Sequence, residues 1–326
     1  MQTEVLGQVI QAIPKAELHL HLEGAVPWGW VRQQSDEALP ERPDWWDRDH
    51  RFESFGEFVS VMHPTWRPYL NQPEEISSAV SVLYGELRAQ NVRYLEISFG
   101  LGAYVFPVSE VVRAIQEPAP SDLTVRVIAG ISRDRDLETM VGLAGEAVGT
   151  DELDGIDLHG DESVGELWHF SDIYLAARER GMIVKAHAGE LGGPELVQET
   201  LRVLRVNRIE HGISAIRDPD VVQVLKDQGT ILDVCPWSNV KLKVVPDLKT
   251  HPIRTLYEAG VCVTVNTDDP TAFGQTLTDE YRWLVSEMGL GLADVGEIAR
   301  NGWRAADVSE EVRAGFLDEI DCLLEG

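Results

Sequence analysis

Three stretches of this chain carry residues whose types and spacing suit chemistry: His19-Leu-His21, His187-Ala-Gly-Glu190 and Asp268-Asp269-Pro270. Imidazole nitrogens and a carboxylate oxygen satisfy a borderline cation such as zinc. With one coordination position left open, such a cation lowers the pKa of a bound water to about 7. Three histidines and an aspartate, with a glutamate just past one histidine, are therefore what a one-metal hydrolase needs.

The individual pieces carry different weight. In Glu17-Leu-His-Leu-His-Leu-Glu23 the glutamates and histidines alternate with leucines, so an extended strand puts the polar set on one face. Two imidazoles two residues apart on that face can bite one metal; alone, the pair equally suits a buried polar strand. Glu190 reads either as a solvated loop carboxylate or as a proton donor beside the metal. Gly189, Gly192 and Gly193 around it allow tight turns close to a ligand. Asp268-Asp269 supplies one carboxylate to ligate the metal and a neighbour to hold the substrate or the water. His211, in Arg208-Ile-Glu-His-Gly212, closes a further apolar run and can orient a hydroxide as an electrostatic or acid–base group.

Short apolar runs that position these residues alternate with longer amphipathic stretches, the pattern of βα units and a parallel sheet. The runs 16–22, 92–99, 124–129, 155–158, 182–186, 207–209, 230–234 and 261–266 read as strands. Helical patterns cover, among others, 74–90, 165–180, 195–204, 218–227 and 252–259. Eight such units predict an α/β fold, a closed (β/α)8 TIM barrel, with its catalytic groups at the carboxyl ends of the strands. The candidate ligands fall at the ends of the first, fifth and eighth runs, and His211 at the end of the sixth. The segment 27–73, with Trp28, Trp30, Trp45, Trp46 and Trp66, is a long helical insertion after the first strand. It reads either as a substrate lid or as an extra layer on the barrel wall.

A length of 326 residues suits one such barrel, 1–326, as a single metal-dependent hydrolase domain. No run of about 18 apolar residues is present, so no membrane span is expected. The first residues lack the basic and apolar segments of a signal peptide. Cys235, Cys262 and Cys322 form no C-x-x-C spacing, which disfavours a disulfide framework and leads us to expect a cytoplasmic protein. The net charge of −27 repels phosphate backbones and anionic lipid, so nucleic-acid and membrane partners are not expected.

Six ordered motifs resemble the adenosine deaminase group of the amidohydrolase superfamily, from Pro14 to about Phe316. They are Pro14-Lys-Ala-Glu-Leu-His-Leu-His-Leu-Glu-Gly24, Gly155-Ile-Asp-Leu-His-Gly-Asp-Glu162, His187-Ala-Gly-Glu190, Arg208-Ile-Glu-His-Gly212, Cys235-Pro-Trp-Ser-Asn239 and Asn266-Thr-Asp-Asp-Pro270. The resemblance implies Zn2+ held by His19, His21, His187 and Asp268. It implies that Glu190 protonates N1 of a purine and that His211 partners the hydroxide. Asp269 would contact the N7 side of the base and restrain the hydroxide, and the Gly160 backbone N–H would meet N3. The other zinc deaminase design, an H-x-E with a later P-C-x-x-C, is absent.

Departures concern the sugar side. Glu23 stands where the family's nucleoside deaminases usually carry an aspartate that binds the ribose 5′-hydroxyl. Glu210 is more like the adenine deaminase branch, whereas 266–281 looks more like the nucleoside branch, and His159 stands where alanine is commoner. The expected substrate is a small 6-aminopurine nucleoside, with adenosine converted to inosine and ammonia. Adenine deaminase and aminodeoxyfutalosine deaminase are the alternatives. A two-metal amidase or esterase of the superfamily is disfavoured, because the fourth run ends Asp157-Leu-His159 with no lysine to carboxylate.

Overall fold

A computed structural model describes residues 2–325 of the chain. Eight parallel strands run in chain order around one sheet: β1 Lys15–His21, β2 Val92–Gly100, β3 Thr124–Ser132, β4 Gly155–His159, β5 Ile183–Ala188, β6 Arg208–His211, β7 Ile231–Val234 and β8 Cys262–Val265. Helices follow the strands and cover the outside, giving the expected (β/α)8 barrel.

The barrel closes between β8 and β1 through the residues that carry the chemistry. The His21 N–H donates to the Asp268 carbonyl and the Asp268 N–H to the His19 carbonyl, both at 3.0 Å. Below them side chains replace missing ladder bonds: the Leu18 N–H donates to Asn266 Oδ1 at 2.8 Å and the Thr267 N–H to Glu17 Oε1 at 3.0 Å. Leu18 and Leu20 face outward under the helical layer and are as buried as Glu17 and His19 beside them, as both faces of a parallel sheet must be.

Inside the barrel the filling is charged. Lys185 on β5 reaches Glu210 at 2.9 Å, Glu96 at 3.3 Å and the Leu18 carbonyl at 2.6 Å. Arg208 on β6 pairs with Glu96 and Asp233, each at 2.7 Å. All five side chains are buried, so each charge depends on its partner to offset desolvation.

Strand ends differ from the sequence expectation by a few residues. β5 continues to Ala188, so His187 lies inside the strand, and β6 continues to His211. The ladder decides this, since His187 pairs with Glu210 and Ala188 with His211 across β5 and β6. The helix expected over 165–180 divides into a 3-10 turn, Leu167–Phe170, and a helix, Ser171–Glu179. Gly165 before them has a positive φ of 77°.

The insertion 27–73 holds helices Trp28–Gln34 and Phe55–Trp66 with a short turn Asp44–Trp46 between them. Ser54 caps the second helix by accepting from the Glu57 N–H, the S-x-x-E start signal. Trp30 Nε1–H donates to Ser78 Oγ at 2.9 Å and Trp46 Nε1–H to the Thr271 carbonyl at 2.7 Å. Buried Lys241 donates to the carbonyls of Trp45 and Asp47 at 2.8 and 2.7 Å. Most of the insertion is thus a layer fastened to the barrel, and one face of helix Phe55–Trp66 forms a wall of the pocket described below. No described helix is long and apolar enough to cross a membrane.

Candidate active site

At the carboxyl ends of the strands a cavity of about 350 Å³ opens between the barrel and helix Phe55–Trp66. His21, Glu23, His159, Gly160, His187, Glu190, His211, Asp268 and Asp269 line it on the barrel side; Phe58, Met62, His63 and Trp66 line it on the helix side. Of the five tryptophans in the insertion only Trp66 reaches this cavity.

His19, His21, His187 and Asp268 converge below it, each offering one ligand atom within 4.8 Å of the others. His21 Nε2 faces His187 Nε2 at 3.3 Å, and Asp268 Oδ1 lies 3.4 Å from His19 Nε2 and 3.3 Å from His21 Nε2. The other side of each buried ring is anchored. His19 Nδ1 meets the Asp233 carbonyl at 3.1 Å, while His187 Nδ1 meets Glu210 Oε2 at 2.9 Å and Asp157 Oδ1 at 3.1 Å. Such partners fix the tautomer that leaves Nε2 free to coordinate. His19 Nε2 is buried with no hydrogen-bond partner, a cost native structures rarely leave unmet. Burial works against a charge on His21, yet Asp268 beside it outweighs this and lifts its pKa to about 9. The cluster is built to hold positive charge, and the donor set fits a metal cation.

Asp268 is held from below by the Ser238 hydroxyl, which donates to Oδ2 at 2.6 Å. Asp268 and His211 both have a φ of 64°, left-handed values that cost a non-glycine residue about 1–3 kcal/mol. Strain of that kind concentrates at sites where position matters. Asp269 lies over Gly24: a Cβ there would stand 1.7 Å from Asp269 Oδ1. Burial and the adjacent Asp268 charge push the Asp269 carboxyl up.

Glu190 follows β5 in a loop drawn around Glu162, whose carboxylate accepts from the N–H groups of Gly189, Glu190 and Gly192 at 3.0, 3.2 and 2.6 Å. Burial first, then the charges of Asp268 and Glu162, raise Glu190 well above the usual carboxylate range, the direction that favours a proton donor. His211 Nε2 stands 3.5 Å from Glu190 Oε2, and burial with His19 nearby pushes the His211 pKa down. Asn239 bridges the two, its Nδ2 lying 2.9 Å from Glu190 Oε1 and 3.2 Å from His211 Nδ1.

Two expected substrate groups, Gly160 and Glu23, both line the cavity; Glu23 Oε1 accepts from the Gly100 N–H at 2.9 Å and the Tyr104 hydroxyl at 3.0 Å, and Oε2 takes no hydrogen bond among the described residues. His159 stacks on His21 with ring centroids 5.6 Å apart. Sequence reasoning gave no role to Asp157, Glu162, Ser238 or Asn239. The first two stand in the quoted Gly155–Glu162 motif and the last two in Cys235–Asn239, which was the available signal.

The adenosine deaminase family model matches residues 14–323. The chain belongs to that family. It is accordingly an enzyme, an aminohydrolase of the adenosine deaminase type cleaving the C–N bond of a cyclic amidine. The adenine deaminase of Rhizobium leguminosarum bv. trifolii is 33% identical over 324 residues, covering 94% of this chain and 99% of the relative. Among solved structures, the adenine deaminase of Arthrobacter aurescens superposes with a TM-score of 0.87 at 27% identity, over 97% of this chain and 100% of the other. An amidohydrolase from Burkholderia ambifaria with bound Zn gives 0.85 at 25% identity, over 98% and 93%.

Proposed function

We propose that this chain is a zinc-dependent adenine deaminase, converting adenine and water to hypoxanthine and ammonia. The observation that carries the reaction is the placement of Glu190 and His211, 3.5 Å apart, at the edge of a cluster of three imidazoles and a carboxylate. His19, His21, His187 and Asp268 would hold the zinc, and the zinc-bearing relative from Burkholderia ambifaria supports that choice of metal. When bound, such an ion supplies a water whose pKa is lowered to about 7.

The remaining work falls to side chains. Addition of the water oxygen at C6 turns a flat aromatic ring tetrahedral, and Glu190 gives its proton to N1, so that negative charge does not build on the ring. His211 steadies the attacking oxygen. Asp269 and the Gly160 N–H orient the base through N7 and N3. Asp269 takes the proton lost by the water and passes it to the exocyclic nitrogen; the C6–N bond then breaks, ammonia leaves, and the C6 hydroxyl proton returns to Glu190 as C6=O forms.

Adenine, rather than the nucleoside expected from the sequence, is supported by the names of the relatives. Glu23 Oε1 accepts from both Gly100 and Tyr104, which leaves Oε2 as a further acceptor at the cavity edge. Elemental analysis coupled to an ammonia-release assay on adenine tests the reading: one zinc per chain and stoichiometric ammonia are expected, with His187→Ala losing most of the metal. Full metal in His187→Ala would remove His187 from the ligand set.

A further inference from the structure

Behind Glu190 and His211 a directed chain of hydrogen bonds enters the site from the helix Ile253–Glu258. Ile253 opens that helix, so its N–H has no intrahelical partner; it donates instead to His251 Nδ1 at 3.1 Å. A neutral imidazole that accepts at Nδ1 carries its proton on Nε2, and His251 Nε2 lies 3.2 Å from Asn239 Oδ1. Burial keeps His251 neutral, lowering its pKa to about 3.

The direction propagates. With Oδ1 accepting from His251, the two hydrogens of the Asn239 amide point to Glu190 Oε1 at 2.9 Å and His211 Nδ1 at 3.2 Å. Reversing the amide would require His251 to accept at Nε2, which would turn an Nδ1–H against the Ile253 N–H. A backbone N–H cannot reverse, so it sets the sense of the whole chain. His211, accepting at Nδ1, must then carry its proton on Nε2, the nitrogen 3.5 Å from Glu190 Oε2 and 3.8 Å from Asp268 Oδ2.

We propose that His251 is a positioning residue for the reaction: through Asn239 it fixes His211 as the tautomer with Nε2–H turned into the site and holds Glu190 beside it. The inference rests on the roles given above to Glu190 and His211, and it sharpens them. In this tautomer His211 donates to the attacking oxygen and cannot take its proton. The proton released as the water O–H bond breaks passes to the Asp269 carboxylate, which delivers it to the departing amino nitrogen.

The test is made on the zinc-loaded enzyme labelled with 15N-histidine. Its His211 ring is expected to be protonated at Nε2, with the His211→Asn spectrum giving the assignment. In His251→Leu the tautomer should become mixed and kcat should fall by about 10- to 100-fold, the usual loss for an outer-shell partner. KM should stay within about threefold and zinc content should be unchanged. His251→Gln, whose amide places a donor where Nε2 was, should restore the Nε2–H tautomer and most of kcat. Protonation of His211 at Nδ1 in the unaltered enzyme overturns the proposal, as does full kcat in folded His251→Leu. Equal damage in both variants, tracking the folded fraction, would show that His251 is only structural. The tautomer is read without turnover, so it stands even if His251→Leu does not fold or adenine is not the substrate.

Discussion

Gly24→Ala is a one-carbon change that should disable the enzyme without unfolding it. Gly24 lies in the short helix Leu22–Ala25 and has no positive φ, so its backbone accepts alanine, and helix propensity favours the change by roughly 1 kcal/mol. The obstacle is ahead of the new methyl: its carbon would stand 1.7 Å from Asp269 Oδ1, 2.4 Å from Cγ and 2.5 Å from Cβ. Regaining ordinary contact requires the Asp269 carboxylate to retreat by about 1.5 Å, and displacements near 1 Å at a reacting centre cost about 10²-fold. The four metal-cluster residues do not include Asp269, so metal content should hold, and overpacking of about 1–3 kcal/mol is partly offset by the helix gain. The assay is kcat/KM for adenine with zinc analysis and a thermal melt. The loss should reach about 10²-fold or more with zinc retained, and Gly24→Ala/Asp269→Ala should be scarcely worse than Asp269→Ala. Activity of Gly24→Ala within about threefold of normal would refute the placement of Asp269 in the chemistry. A double variant showing the full product of both losses would mean that Gly24 acts by another route.

Glu190→Gln should keep fold and metal and lose about 10²-fold or more in kcat, the size of a general-acid step; a loss under about threefold would return Glu190 to a structural loop. Lys185→Met should destabilise the protein by about 3–5 kcal/mol in urea unfolding, because it leaves Glu96 and Glu210 buried without their shared cation. Acid should act through His251, whose folded pKa of about 3 lies below its ordinary 6.5. The unfolded state then binds more protons between those values, so stability present above pH 6.5 is lost as pH falls towards 3. Between pH 6.5 and 4.5 that group alone should cost about 2–3 kcal/mol, and His251→Gln should lose correspondingly less over the same interval.

The barrel and the convergence of His19, His21, His187 and Asp268 were legible because both are written in local pattern. Alternation of polar and leucine residues from Glu17 to Glu23 placed His19 and His21 on one face, and the eight apolar runs ordered the sheet. What escaped depends on partners remote in the chain. Glu162 shapes the loop of Glu190 from another strand end, and Lys185 and Arg208 find their carboxylates only when the barrel closes. The extent of β5 is settled by its ladder with β6, which carries no local signal. Glu23 shows the limit most clearly: its type and position suggested a sugar contact, and one of its two oxygens is taken by Tyr104, 81 residues away. Ser54 and Glu57 mark the start of helix Phe55–Trp66, a signal the sequence reading passed over, and nothing local says which of its faces meets the cavity.

The central claim is that a zinc-loaded site of this geometry deaminates the free base. Its most direct test is kcat/KM measured side by side for adenine, adenosine, deoxyadenosine, 5′-methylthioadenosine and aminodeoxyfutalosine on the same zinc-loaded preparation. The account predicts a value for adenine above that for every nucleoside. A nucleoside turned over faster than adenine would contradict it, and would give Glu23 Oε2, which Gly100 and Tyr104 leave open, to the sugar.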